Sequence, residues 1–353
     1  MLLLSLLLPF IITPVFALGK LEPADGKLLF GAWIDTSSEP QSGGDSPFAF
    51  NSRIGFRANY DVPNHDLDGT LKLSVLNDST NAAIFLTIYP MKGITEAAVT
   101  DDQIVALANQ VNGLTKSTGR NLFLRLAPEM NGDWFIYGEQ PTAFITFWRR
   151  FHNLFTPIAP QVALVWSPNF RSASERFPYD PYWPGTEYVD WISESAAAFH
   201  MASKGRPLDA GAGQTATVMS FWNSFIFNAS FRSKYSLVKM VFCFEMVKTE
   251  DEETTNDYRS TVDPATLVEF KKGLAALDRA GVVVWAQDTR VSATTSTAVV
   301  RTATATSLVV ATEAVAATAV ASEVVSTAQQ RSGATAVGSV WSLVLVVVVG
   351  LAL

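Results

Sequence analysis

The stretch Arg125-Leu-Ala-Pro-Glu129-Met-Asn131-Gly132-Asp-Trp134-Phe-Ile-Tyr137-Gly138 sets the reading of the whole chain. The largely apolar run that leads into it, Leu122 to Ala127, has the length and continuity of a parallel strand covered on both faces. Pro128 has no amide hydrogen to continue a ladder, and Asn131-Gly132 is a turn signal. Glu129 is therefore expected at the carboxyl end of a buried strand, followed at once by a turn and aromatic residues. In a β/α barrel that end of the strands carries the chemistry.

Similar apolar runs recur on both sides: Leu28 to Trp33, Ile54 to Tyr60, Ala83 to Ile88, Val162 to Trp166, Val189 to Ser193, Val238 to Phe244, and the shorter Val282 to Trp285. Helical patterns separate several of them. Thr100-Asp-Asp-Gln103 is a capping box, and Ile104, Leu107, Ala108 and Val111 then follow the spacing of one helix face. Asp263-Pro264 opens a second helix, with Leu267, Phe270, Leu274 and Leu277 on one side. Strands alternating with helices predict a parallel sheet, and residues 18–289 are close to the ~250 residues of one (β/α)8 TIM barrel of α/β class. A doubly wound open sheet fits the same alternation. It lacks its usual phosphate loop here, because Gly211-Ala-Gly213 has neither a third glycine nor a clear strand before it.

The two ends of the chain have their own composition. Residues 1–17 are apolar and finish in Val15-Phe16-Ala17, which predicts a secretory signal peptide; Pro9 and Pro14 interrupt the run and argue against a membrane anchor. Residues 290–331 are rich in Ser, Thr, Ala and Val, which suits an O-glycosylated stalk and not a packed core. Residues 332–353 then show small residues, a weakly polar spacer and the uncharged tail from Val340 to Leu353, the layout of a glycosylphosphatidylinositol attachment signal with Ser332 or Gly333 as acceptor. The tail is shorter than the ~20 residues of a membrane span, and no Lys or Arg follows it. The expectation is a secreted glycoprotein at the cell surface or cell wall, held to the outer membrane leaflet through a glycolipid.

The single cysteine, Cys243, lies in an apolar run, so a buried free thiol is expected and no intramolecular disulfide is possible. Asn77 and Asn228 each head a glycosylation acceptor triplet. A formal net charge of -7 without a basic cluster excludes a nucleic-acid partner, and a monomer is expected.

Several segments together resemble glycoside hydrolase family 26, especially its fungal secreted members. They are Phe30-Gly-Ala-Trp33, the Glu129-Met-Asn131-Gly132-Asp-Trp134-Phe block, Phe147-Trp148-Arg149, Val165-Trp166-Ser167-Pro168-Asn169, Pro181-Tyr182-Trp183-Pro184-Gly185 and Tyr188-Val-Asp190-Trp191, with Phe244-Glu245 continuing the order. The resemblance implies a barrel that hydrolyses β-mannan or a related β-linked polysaccharide with retention of configuration, without metal or cofactor. Retention needs two carboxyl groups about 5 to 5.5 Å apart, an acid/base and a nucleophile. Glu129 stands at the acid/base position. Alone it could be an ordinary strand-end carboxylate linked to Arg125.

Arg125, Asn131, Trp134, Tyr137, Trp166, Asn169, Tyr182 and Trp183 are candidate substrate-binding residues, the aromatics as flat faces for sugar rings and the amides as readers of hydroxyls. The nucleophile departs from the pattern. Its counterpart segment, Arg206-Pro207-Leu208-Asp209-Ala210-Gly211-Ala212-Gly213-Gln214-Thr215, has no glutamate, and the connection from Ser195 is short, so the barrel is incomplete around strand seven. Asp209 and Glu245 are the weak candidates, Glu245 read as ending strand eight and facing the same cleft. Pro128 also replaces the histidine that many relatives carry before the acid. The sequence therefore leaves three readings: an active glycoside hydrolase, a catalytically impaired glycan-binding relative, and a structural protein of the cell wall. A gene-model error that skips a segment near residues 195–215 would produce the same gap.

Overall fold

The computed structural model describes residues 19–34, 45–64, 67–71, 79–169, 178–193, 206–207, 215–249, 255–289 and 342–345. The signal peptide, the stalk, Asn77, Asp209, Ser332 and Gly333 lie outside them. Strands β1 (Leu28–Ile34), β2 (Asn59–Asn64), β3 (Ile84–Ile88), β4 (Leu122–Leu126), β5 (Ala163–Trp166) and β6 (Trp191–Ser193) pair in sequence order, all parallel. Strand β8 (Val238–Glu245) runs parallel to β1, from Leu29 against Met240 to Ile34 against Glu245, and so brings the far edge of the sheet back to its start. This is a (β/α)8-type barrel.

The seventh position of the ring differs from the sequence expectation. Arg206–Pro207, here β7, pairs antiparallel with β10 (Thr255–Asp257), which also pairs with β9 (Val247–Thr249), in a separate three-stranded sheet. The ring position between β6 and β8 is taken by β12 (Ser342–Leu345), parallel to both, with Leu343 opposite Ile192 and Val238. Two further runs are corrected. Ile54 to Tyr60 is not one strand: Ser46 caps α1 (Pro47–Ile54), Gly55 ends it at φ 82°, and the chain enters β2 only at Asn59. Val282 to Trp285 shortens to β11 (Val283–Val284), which pairs with Leu28 and Leu29.

Helix α2 (Asp101–Thr118) begins at the predicted box, with the Thr100 side chain accepting from the Gln103 amide and the Gln103 side chain accepting from the Thr100 amide. Its buried face is Ile104, Leu107, Ala108, Val111 and Thr115. Helix α3 (Pro141–Phe155) buries Phe144, Phe147, Trp148, Phe151 and Phe155. Helices α4 (Thr215–Ser224) and α5 (Ala229–Lys234) precede β8, and α6 (Pro264–Arg279), capped by Asp263, packs Phe270 edge-on to Trp222. These faces cover the outer side of the strands in one large apolar cluster, in which Cys243 is buried as expected.

A smaller cluster fills the barrel itself: Leu29, Ala83, Phe85, Phe123, Ala163, Val165, Trp191, Met240 and Phe242. Gly31 is required there, since a Cβ at that position would stand 2.2 Å from the Phe242 ring. Below it the chain at Lys20 to Asp25 closes the floor, with the Trp191 indole donating to Lys20 O and the buried Lys239 ammonium paired with Glu22. Side chains on a strand alternate faces, so the next inward residues toward the carboxyl ends are Asp61, Thr87, Arg125, Ser167 and Ser193, all buried. An apolar layer at the bottom and a polar layer above it place the polar chemistry at the carboxyl mouth.

Candidate active site

Glu129 follows β4 by three residues, and the backbone that presents it is unusual. Ala127 and Glu129 have φ of 42° and 58°, left-handed values that non-glycine residues seldom adopt, on either side of Pro128. Neighbouring strands hold this bend: the Ala127 amide donates to Ile88 O at the end of β3 and the Glu129 amide donates to Ser167 O after β5, at 2.9 and 2.7 Å. Backbone strain maintained in this way costs about 1 to 3 kcal/mol per residue and is concentrated at functional sites.

The Glu129 side chain is 4% exposed and held from two sides. The Trp134 indole N–H donates to Oε2 at 2.9 Å, and Arg125 Nη2 lies 3.8 Å from Oε1. Trp134 reaches back because Gly132 has no side chain: a Cβ there would stand 2.3 Å from the indole. Gly138 allows the loop to fold on itself, with Gly132 O lying 2.1 Å from where its Cβ would be. Arg125 is fully buried on the inward face of β4; its Nε donates to Ser167 Oγ at 2.8 Å and its guanidinium hydrogen-bonds the Tyr89 phenol. Burial pushes the Tyr89 phenol up.

Asp61 occupies the corresponding inward position on β2. Its Oδ1 accepts a long hydrogen bond from Thr87 Oγ1 at 3.3 Å, and burial, opposed by Arg125 and Thr87, pushes its carboxyl up to about 7. Among the described residues, the mouth thus holds two carboxyl groups, Glu129 and Asp61, around the buried Arg125 guanidinium. It can present a positioned acid to an oxygen and offer hydrogen bonds to hydroxyls.

The remaining sequence candidates divide. Trp134 is partly exposed beside Glu129. Tyr137 is not a platform: it is fully buried, stacked on Phe135 with its hydroxyl donating to Pro128 O, where it props the Glu129 bend from behind. Asn131 is buried and joins the loops after β4 and β5, donating to Asn169 O and accepting from the Asn169 amide. Its Oδ1 and Nδ2 are thereby engaged in structure, and Asn169 contributes backbone to the same clamp. Trp166 shares the outer face of β5 with Leu164, donates to Tyr182 O and packs edge-on to Trp183; Tyr182 is buried edge-on to Phe144 of α3. These three aromatics form a wall behind the mouth.

Glu245 is corrected most clearly. It shares the outer face of β8 with Cys243 and Val241, opposite to Phe242 and the barrel interior. Its oxygens accept from the Ser260 amide at 2.7 Å, Thr261 Oγ1 at 2.5 Å and Cys243 Sγ at 3.1 Å, so it anchors the loop before α6. Burial raises its carboxyl against these donors and Arg53. Asn228 is exposed and caps α5 through its side-chain oxygen. Sequence reasoning missed Asp61, Tyr89 and Trp33, the last partly exposed and stacked on Phe244 at 5.1 Å. A signal for Asp61 existed: Asn59 and Asp61 alternate with apolar residues, which marks an inward polar face.

Residues 55–204 match the model of the family described as glycosyl hydrolase family 26. No curated protein sequence matches the chain. Among solved structures, the chain is similar to a Bacillus subtilis mannanase at 14% identity and TM-score 0.35, covering 49% of this chain and 64% of that one. The chain therefore spans less than two thirds of that mannanase. It is also similar to the GH26 domain of a Prevotella bryantii endo-beta-mannanase/endo-beta-glucanase (13% identity, TM-score 0.41, 74% and 91% covered) and to a GH26 beta-mannanase of Bacteroides ovatus (12%, 0.43, 74% and 90%).

Proposed function

We propose that this chain is a member of glycoside hydrolase family 26 acting outside the cell on β-mannan or a related β-linked polysaccharide, with Glu129 as general acid/base. The observation that carries this reading is the presentation of Glu129: a carboxyl group at the end of β4, on a strained bend, between a tryptophan indole and a buried arginine. In the reaction Glu129 gives its proton to the glycosidic oxygen as the leaving sugar departs, and later takes a proton from the incoming water. Arg125, fixed by Ser167 and Tyr89, keeps the carboxyl oriented, and Trp134 offers its partly exposed ring to a sugar beside it. Retention of configuration belongs to the same proposal and requires a second carboxylate as nucleophile.

The outward placement of Glu245 favours a second reading, in which the mouth binds glycan without turning it over. The test is hydrolysis of β-mannan and mixed-linkage β-glucan by the secreted protein beside Glu129→Gln. Turnover lost in the variant supports the enzyme; equal absence of turnover with glycan binding retained in both supports the binding reading; absence of binding in both refutes the carbohydrate assignment. The glycolipid anchor is part of the proposal for location. Release by a phosphatidylinositol-specific lipase supports it, and an intact C-terminal tail in the mass of the mature protein rejects it.

A further inference from the structure

Among the described residues, Asp61 Oδ2 and Ser193 Oγ are both buried and have no hydrogen-bond partner. Both belong to the inward polar layer, Asp61 from β2 and Ser193 from β6, where Ser193 shares its face with the interior Trp191. Buried polar groups are nearly always satisfied, and an exception inside a functional mouth points to a partner that arrives with the ligand. Asp61 is the stronger of the two because the rest of its carboxyl is already placed. Thr87 holds Oδ1, which leaves Oδ2 as the oxygen free to act.

We propose that Asp61 is a second sugar-contacting carboxyl of the barrel mouth, whose Oδ2 donates a hydrogen bond to a glycan oxygen, with the Ser193 hydroxyl offering a further contact from the opposite side. The inference rests on the glycan reading above and assigns one residue within it. Among the described residues, the charged and titratable groups around Asp61 are Arg125 of β4 and the Tyr89 phenol after β3, which Glu129 also faces; β1 and β8 bring Gly31, Trp33, Phe242 and Phe244 to this face. Burial pushes Asp61 up to about 7, so in mildly acidic medium it carries a proton, and with Oδ1 accepting from Thr87 that proton belongs on Oδ2. A glycan oxygen that accepts from Oδ2 favours the protonated form, which alone can donate. Ligand binding is therefore coupled to proton uptake, and affinity falls as pH rises through about 7.

The experiment is calorimetric titration of the full chain carrying Glu129→Gln, which cannot turn over, with a β-1,4-linked mannohexaose below and above neutrality. Affinity should weaken by about tenfold between roughly pH 5.5 and pH 8.5, with net proton uptake read from buffers of different ionisation heat. Adding Asp61→Asn, an uncharged donor of the same shape, should keep binding and abolish both the pH dependence and the proton uptake. Adding Ser193→Ala should weaken binding equally at both pH values. Binding by the Glu129→Gln protein with an unaltered pH dependence after Asp61→Asn overturns this inference alone. No binding by the Glu129→Gln protein at either pH overturns the glycan reading and this inference with it.

Discussion

Replacing Gly132 by alanine should disable the site without touching a catalytic atom. A Cβ at 132 would stand 2.3 Å from Cη2 and Cζ2 of Trp134 and 2.6 Å from Cε2. Carbon atoms in contact sit about 3.5 to 4.0 Å apart, so the indole must retreat by roughly 1.2 Å or more. Gly132 is outside the left-handed region, so alanine adds no backbone strain and the effect comes from this contact. The Trp134 to Glu129 hydrogen bond, 2.9 Å long, does not survive such a retreat. Leaving the buried Glu129 oxygen without its donor costs about 1 to 3 kcal/mol, which predicts a loss of roughly fivefold to a hundredfold in kcat/KM. The assay is hydrolysis of soluble β-mannan, with near-ultraviolet circular dichroism to follow the indole. Trp134→Phe, which keeps the ring and removes the N–H, should lose activity in the same range. Wild-type turnover and an unchanged indole spectrum in Gly132→Ala would refute the claim that this glycine places the tryptophan on the acid.

Other consequences are open to measurement. Burial raises the Asp61 carboxyl from its ordinary 3.8 to about 7 in the folded chain, so the native state binds the extra proton between those limits. Stability should therefore fall as pH rises from about 4 to about 7 and level off above, by on the order of 4 kcal/mol at most, and Asp61→Asn should remove that slope in denaturant titrations. Glu245→Ala leaves the Ser260 amide and the Thr261 hydroxyl without their acceptor; it should cost about 3 kcal/mol of stability and leave glycan affinity unchanged, whereas a selective loss of affinity would return Glu245 to the site. Thr100→Ala breaks the capping box of α2 and should lower stability by about 1 kcal/mol, read as a drop of a few degrees in Tm. A chain ending at Gly333 loses β12 and should unfold at lower temperature and less cooperatively; an unchanged transition would show that Ser342–Leu345 adds nothing to the ring.

The parts of the fold that were legible in the sequence were those fixed by local chemistry. The capping box at Thr100, the Asp263-Pro264 start and the apolar runs of β3, β4, β5 and β8 all carry their signals within a few residues. Ile54 to Tyr60 misled because Ile54 is apolar for the sake of a helix and Tyr60 for the sake of a strand, with Gly55 dividing them. Glu129 was legible because Pro128 and Asn131-Gly132 mark a strand end. Its surroundings were less so. Whether Trp166 or Tyr137 faces a ligand or a core depends on the parity of a strand and the fold of a loop, which composition does not encode. Glu245 illustrates the same limit, since a shift of one residue along β8 decides between mouth and outer layer. The ring position of residues 342–345 depends on a pairing between remote parts of the chain, for which no short-range pattern exists.

The same few residues near the C-terminus have two incompatible destinies. As β12 they serve as a stave between β6 and β8; under the anchor proposed above they would be discarded when the glycolipid is joined upstream. Taking out one stave parts its neighbours by two strand spacings, about 10 Å, and leaves two rows of backbone amides and carbonyls raw beside the mouth. If the proposed anchor is attached, a tethered molecule and a molecule with this closed hoop would be different products of one gene.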